Sequence, residues 1–161
     1  MKMNKKGFTL IELLIVIGII AILAAVVIVA LNPGRQFAQA RNTQRSSNVN
    51  TILNAIGQYM ADNNGVLPPY LASSTVDVPV QICQSGVAQA TCQSTKDGVM
   101  TPYLMYLPEL TNSEIYLISL PIAPQATTTS GTGYAIWRTA NNRVGISAMD
   151  SELDAKVSVK R

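Results

Sequence analysis

The sequence predicts an α+β fold. A long N-terminal helix spans a membrane with its first half and packs its second half against a small antiparallel β-sheet head. Three observations predict this. Leu10 to Leu31 is an apolar run of 22 residues in which Glu12 is the only charge. Val49, Ile52, Leu53, Ile56 and Met60 recur at three- and four-residue steps, the period of one helix face. The last third of the chain alternates short β-prone runs with turn residues.

The apolar run is about 33 Å long at helical rise, enough to cross a hydrocarbon core of roughly 30 Å. It contains no Pro, and a spanning segment must satisfy its backbone internally, so it reads as a helix. Ala21 and Ala25 have the small-xxx-small spacing that lets helices approach closely, although Ala is also ordinary filler in membrane helices. Glu12 is the informative residue. A carboxylate costs roughly 2.5–3.5 kcal/mol at the centre of such a helix and less towards its ends. Ionisable residues there usually have a partner and a function. If the chain were cut between Gly7 and Phe8, the new Phe8 ammonium would lie one helical turn from Glu12. The pair would close within one chain or between neighbours. In an assembly, the cost of an unpaired charge in an apolar medium would favour one stagger. Lys2, Lys5 and Lys6 place the leader in the cytoplasm and the body outside, an asymmetry that Arg35, Arg41 and Arg45 weaken.

The stretch KKGFTLIELLIVIGIIAIL resembles the prepilin signature of type IV pilins and type II secretion pseudopilins. The matching parts are the basic leader, Gly7, Phe8, Thr9-Leu10-Ile11, Glu12 and the apolar run. The resemblance implies cleavage after Gly7 and N-methylation of Phe8 by a prepilin peptidase/methyltransferase. It also implies storage in the bacterial inner membrane, then homo-oligomeric assembly by pilus or secretion machinery into an extracellular pilus or a periplasmic pseudopilus. The expected divisions are a leader at 1–7, a membrane and filament-core helix at 8–31, a kink and amphipathic helix at 32–65, and an α+β head at 66–161. An ordinary signal anchor and a cleaved secretory signal are the alternatives. The apolar run exceeds the roughly 7–15 residues usual in a secretory signal. A non-polymerising, membrane-anchored binding module is the alternative from another functional class.

Leader and membrane helix leave about 125 of the residues for soluble structure, which permits one modest domain. Removing the three leader lysines leaves 9 basic and 9 acidic side chains (12 − 3 = 9), so net basicity does not argue for nucleic acid. The chain has no His, which excludes Ser-His-Asp and Cys-His catalysis and the commonest metal ligand. Paired carboxylates for acid–base work, a phosphate-binding Gly loop and a nucleophile elbow are also missing, so an enzyme is not expected and no cofactor is implied. Cys83 and Cys92 fall on the exported side, where a disulfide persists. A bridge closing a surface loop is expected, with two free thiols as the alternative. Family members often carry a disulfide nearer the C-terminus, so this pair is not equated with that one.

Beyond the membrane run, Pro33 opposes the carbonyl of Val29 and should kink or break the helix, with Asn32 able to cap a new one. Arg35 to about Asn63 reads as helix, stopped by Asn64-Gly65. Its first half is polar, and Arg41 and Arg45 share a face suited to subunit pairing, lipid head groups or solvent. Val66 to Tyr70 begins a loop. Val76 to Ile82 suggests a short strand that Pro79 confines to a sheet edge. Leu104 and Leu107 suggest a short helix ending at Pro108. Ile115 to Leu120 reads as a strand stopped by Pro121, and Ala126 to Gly133 as a loop. Tyr134–Thr139 and Arg143–Met149 form a hairpin about Ala140-Asn141-Asn142. Ala155, Val157 and Val159 alternate with Lys156, Ser158 and Lys160, a final edge strand blunted by charge.

Two weaker sites remain. Asp150, Glu152 and Asp154 offer oxygens to calcium, yet Ala155 stands where an EF-hand-like turn needs Gly. An ordinary solvated turn is the competing reading. Tyr134 and Trp137 with Arg138 and Arg143 could stack and neutralise single-stranded DNA, although alternation favours Trp137 as a packing residue.

Overall fold

The computed structural model describes residues 7–88, 92, 104–126 and 130–161. The leader lysines, the start of the Asp97–Leu110 segment and the middle of the Ala126–Gly133 loop lie outside the described residues. The chain divides into two units, Met1–Phe37 and Ala38–Arg161.

In the first unit, helix α1 spans Leu10–Leu31. Asn32 ends it in the left-handed conformation, φ 42°, which Asn tolerates better than most residues. Helix α2, Pro33–Asp62, starts one residue later. The Asn32 carbonyl and its Oδ1 both accept from the Arg35 N–H, at 3.1 and 3.4 Å. Pro33 occupies the first helical position, where a missing N–H costs nothing. The break expected at Pro33 is therefore a stop and a restart.

The second unit is built on the rest of α2. It ends through Asn64 (φ 53°) and Gly65 (φ 82°), whose N–H donates to the Met60 carbonyl at 2.7 Å. This is the 6→1 bond of a Schellman ending. A one-turn helix α3, Pro69–Ala72, follows where only a loop was expected, and it buries Leu71.

Four antiparallel strands form one sheet in the order β1-β2-β3-β4: Val80–Cys83, Gly131–Arg138, Val144–Ala148 and Ser158–Lys160. Tyr134 faces Ala148, Ile136 faces Ile146, and Arg138 faces Val144. Alternation puts Tyr134, Ile136, Val144, Ile146 and Ala148 on one face. They join Val49, Ile52, Leu53, Ala55 and Ile56 of α2 in a single buried core. The helical stripe thus packs as expected, and the hairpin register agrees with its turn, where Asn142 has φ 55°.

Several boundaries differ from the sequence reading. The first strand starts after Pro79, whose ring offers no N–H to the ladder; Asp77 still donates to the Arg138 carbonyl at 2.8 Å. Leu104 to Leu107 is not helical. Met105 makes a parallel bridge to Ile82, and Pro108 opens a 3₁₀ turn, Pro108–Leu110, rather than closing a helix. Ile115 to Leu120 is irregular, because its amides find partners off any ladder. Leu117 donates to Leu110 and Leu120 to the Ser85 hydroxyl. Gly131 to Gly133 belongs to β2. Gly133, at φ 82°, lies so close to Ala123 that a Cβ there would sit 2.7 Å from the Ala123 Cβ. The last strand is shorter than its alternation suggested, though Arg161 extends the pairing through reciprocal bonds with Val144.

Candidate processing and assembly site

Gly7 and Phe8 precede the first helix and are exposed, Phe8 by 84%. Their peptide bond is therefore outside hydrogen-bonded helix, where backbone is most accessible to a peptidase. Thr9 is the N-cap. Its Oγ1 accepts from the Glu12 N–H at 3.3 Å, while its own N–H and hydroxyl donate to Glu12 Oε2 at 2.8 and 2.9 Å. This is a capping box, and the signal for it is the Thr-x-x-Glu spacing, which the sequence reading passed over. The consequence for Glu12 is direct. Phe8 lies before the cap, so Phe8 and Glu12 are not stacked on successive turns as an i,i+4 pair within the helix.

Leu10 to Ala30 is long and apolar enough to cross a membrane, and none of that stretch is buried within the chain. Its large side chains, from Leu10 (81% exposed) to Val29 (83%), are exposed among the described residues.

The second arrangement lies in the head, where α2 meets the loop before β4. Arg41 donates from Nε to Glu152 Oε1 at 2.6 Å and from Nη2 to Oε2. Arg45, almost wholly buried, donates to the same Oε1 at 3.0 Å, to Asn42 Oδ1 and to the Pro124 carbonyl. Asn42 completes the junction by donating to the Glu152 carbonyl and accepting from its N–H. The Arg41 hydrogen bonds, aided by Arg45, hold the Glu152 carboxyl down to about 2. The same contact pushes Arg41 up. One step further along α2, Asn48 donates to the Tyr134 hydroxyl at 2.7 Å, and burial pushes that phenol up.

Three expectations change here. The Arg41/Arg45 face is not simply solvated: Arg45 is buried, Arg41 half-buried, and Glu152 and Pro124 accept from them. Asp150, Glu152 and Asp154 do not gather into a metal-binding group. Glu152 is turned onto two guanidiniums instead. The proposed stacking platform is dispersed. Tyr134 faces the core, Arg138 donates to the Ser74 carbonyl, and Trp137 lies on the opposite sheet face across Gly145. Cys83 and Cys92 are joined as a disulfide with Cα atoms 5.9 Å apart, and both are buried. The Arg45–Glu152 pair had no sequence signal, since more than a hundred residues separate its members.

Comparison with known proteins bears on the N-terminal site. Residues 2–28 match the prokaryotic N-terminal methylation motif. The chain is 51% identical over 61 residues to the type IV wide pilus major component PilA4 of Thermus thermophilus, a match covering 38% of this chain and 45% of that protein. The chain thus spans less than half the length of the curated relative it matches. No solved structure matches it. Gly7, Phe8, Thr9 and Glu12 all fall inside the matched motif, and through that segment the chain carries the N-terminal methylation signature by which it resembles the type IV pilins.

Proposed function

We propose that the chain is a structural subunit of a type IV pilus-like filament. The observation that carries this reading is the methylation motif at residues 2–28, which covers most of an apolar helix long enough to cross a membrane and exposed among the described residues. In this reading the leader, 1–7, faces the cytoplasm. A prepilin peptidase/methyltransferase cuts between Gly7 and Phe8 and methylates the new amine. Residues 8–31 hold the subunit in the inner membrane, then form the filament core. Residues 32–65 and the head, 66–161, are exported. Glu12 sets the stagger: Oε2 is engaged by Thr9, and the exposed carboxylate would meet the Phe8 ammonium of a neighbouring copy.

The test is mass spectrometry of the N-terminal peptide from native protein extracted from membranes. A peptide beginning at methylated Phe8 is the expected outcome. An intact Met1, or a start near Asn32, would transfer the protein to an anchored or secreted role.

A further inference from the structure

Two surfaces of the head remain without a role, and they complement each other. One is an apolar groove of about 250 Å³ floored by Leu53, Ile56 and Val144 and walled by Gly57 and Met60. Arg143 and Arg161 stand on its lining, and among the described residues neither makes an ion pair. The other is the loop after the Pro108–Leu110 turn. Ile115 and Ile118 are 68% and 79% exposed there, the most exposed large apolar side chains among the described residues of the head. Glu114 beside them is exposed, in the left-handed region with Ser113, so the chain turns sharply at this point. The loop is tied down at its base, where the Tyr116 hydroxyl donates to Asp62 and its ring packs edge-on against Tyr59.

Groove and loop sit on different sides of α2. At 3.6 residues per turn, Leu53, Gly57 and Met60 lie roughly 150° around α2 from Tyr59 and Asp62. We propose that the Glu114–Ile118 loop of one copy seats in the Leu53–Met60 groove of the next. Isoleucine fills the apolar floor, and Glu114 meets the Arg143 side of the groove. Charge complementarity selects a second copy of this chain as the occupant: the charged side chains on the groove's lining are Arg143 and Arg161, both cations, and the loop presents apolar residues led by an anion. The two faces differ, so the contact is heterologous, and a heterologous contact that does not close propagates as a helical array. The inference rests on the filament reading and adds a head-to-head surface to the helix core.

The test uses the full-length chain in its native membrane. Gly57→Cys has open space around its Cβ and Ile118→Cys is exposed, while both native cysteines are already bonded. Chains carrying both substitutions should give, under mild oxidation, a ladder of crosslinked copies that neither single variant gives. Arg143→Glu should lower filament yield about two- to fivefold, the scale of one exposed ion pair. Adding Glu114→Arg should restore it. Filaments built from processed chains that do not crosslink, a charge exchange that restores nothing, or a crosslink to a different protein would each overturn the surface and leave the filament reading standing. Chains that keep Met1 and never assemble would overturn both.

Discussion

Glu152 receives both oxygens' worth of donors from α2, and the effect on acid stability follows from its ionisation. Its carboxyl titrates near 2 in the folded chain, against an ordinary value of 4.5. A group depressed in this way stabilises the fold fully above its unfolded value. That contribution is lost as pH falls towards the folded value. Thermal unfolding of the detergent-solubilised chain should therefore show the native protein losing stability between about pH 5 and pH 2. The Glu152→Gln variant should start lower at pH 7, because Arg45 is left buried without an anion, and its profile should be flatter over the same window. Equal slopes for the two proteins would mean that the ion pair does not couple to folding.

Among the elements, the β1 edge and α2 illustrate different kinds of support. Cys83 ends β1, and its bridge to Cys92 closes a loop of nine-residue separation. A loop of that size restricts the unfolded chain by about 2.5 kcal/mol on the chain-entropy account. Replacing both cysteines by Ser should lower stability by about 2–3 kcal/mol in denaturant titration, with the far-ultraviolet spectrum retained. α2 depends on burial instead. Ile52 is fully buried in the centre of the core, and Ile52→Ala should cost about 2–5 kcal/mol measured in the same way. The polar first half of α2 gains its support from Glu152, Pro124 and Tyr134 through Arg45 and Asn48. These bonds tie two loops and a strand to one helix.

For the whole molecule, the apolar helix and the head answer to different surroundings. The apolar side chains of Leu10–Ala30 are exposed on every side, whereas the head closes over its own core. Glu12→Ala should leave membrane insertion intact, since removing a charge from the apolar run only favours it. The same change should reduce filament yield at least tenfold in sheared-cell preparations, through loss of the carboxylate proposed to set the stagger. Normal filaments from that variant would remove Glu12 from the assembly mechanism.

What the sequence determined by itself is everything written in local spacing. The apolar run, the Asn32-Pro33 break, the Val49–Met60 stripe and the Asn-rich hairpin are legible because helix period, proline stereochemistry and left-handed turns act within a few residues. The Thr9–Glu12 capping box is equally local, carried by the Thr-x-x-Glu spacing. Tertiary structure alone decided the rest. Gly131–Gly133 became strand because β1 pairs there, Cys83 opposite Gly131, and the glycines admit Gln81 and Ala123 where side chains would clash. Ile115–Leu120 did not, because its amides met Leu110 and Ser85 before any ladder. Arg41 and Arg45, polar residues on a helix face, became partners of a carboxylate from the far end of the chain, Arg45 buried and Arg41 half-buried. A buried charge takes the nearest counter-ion the fold supplies, and only the folded chain says which one that is.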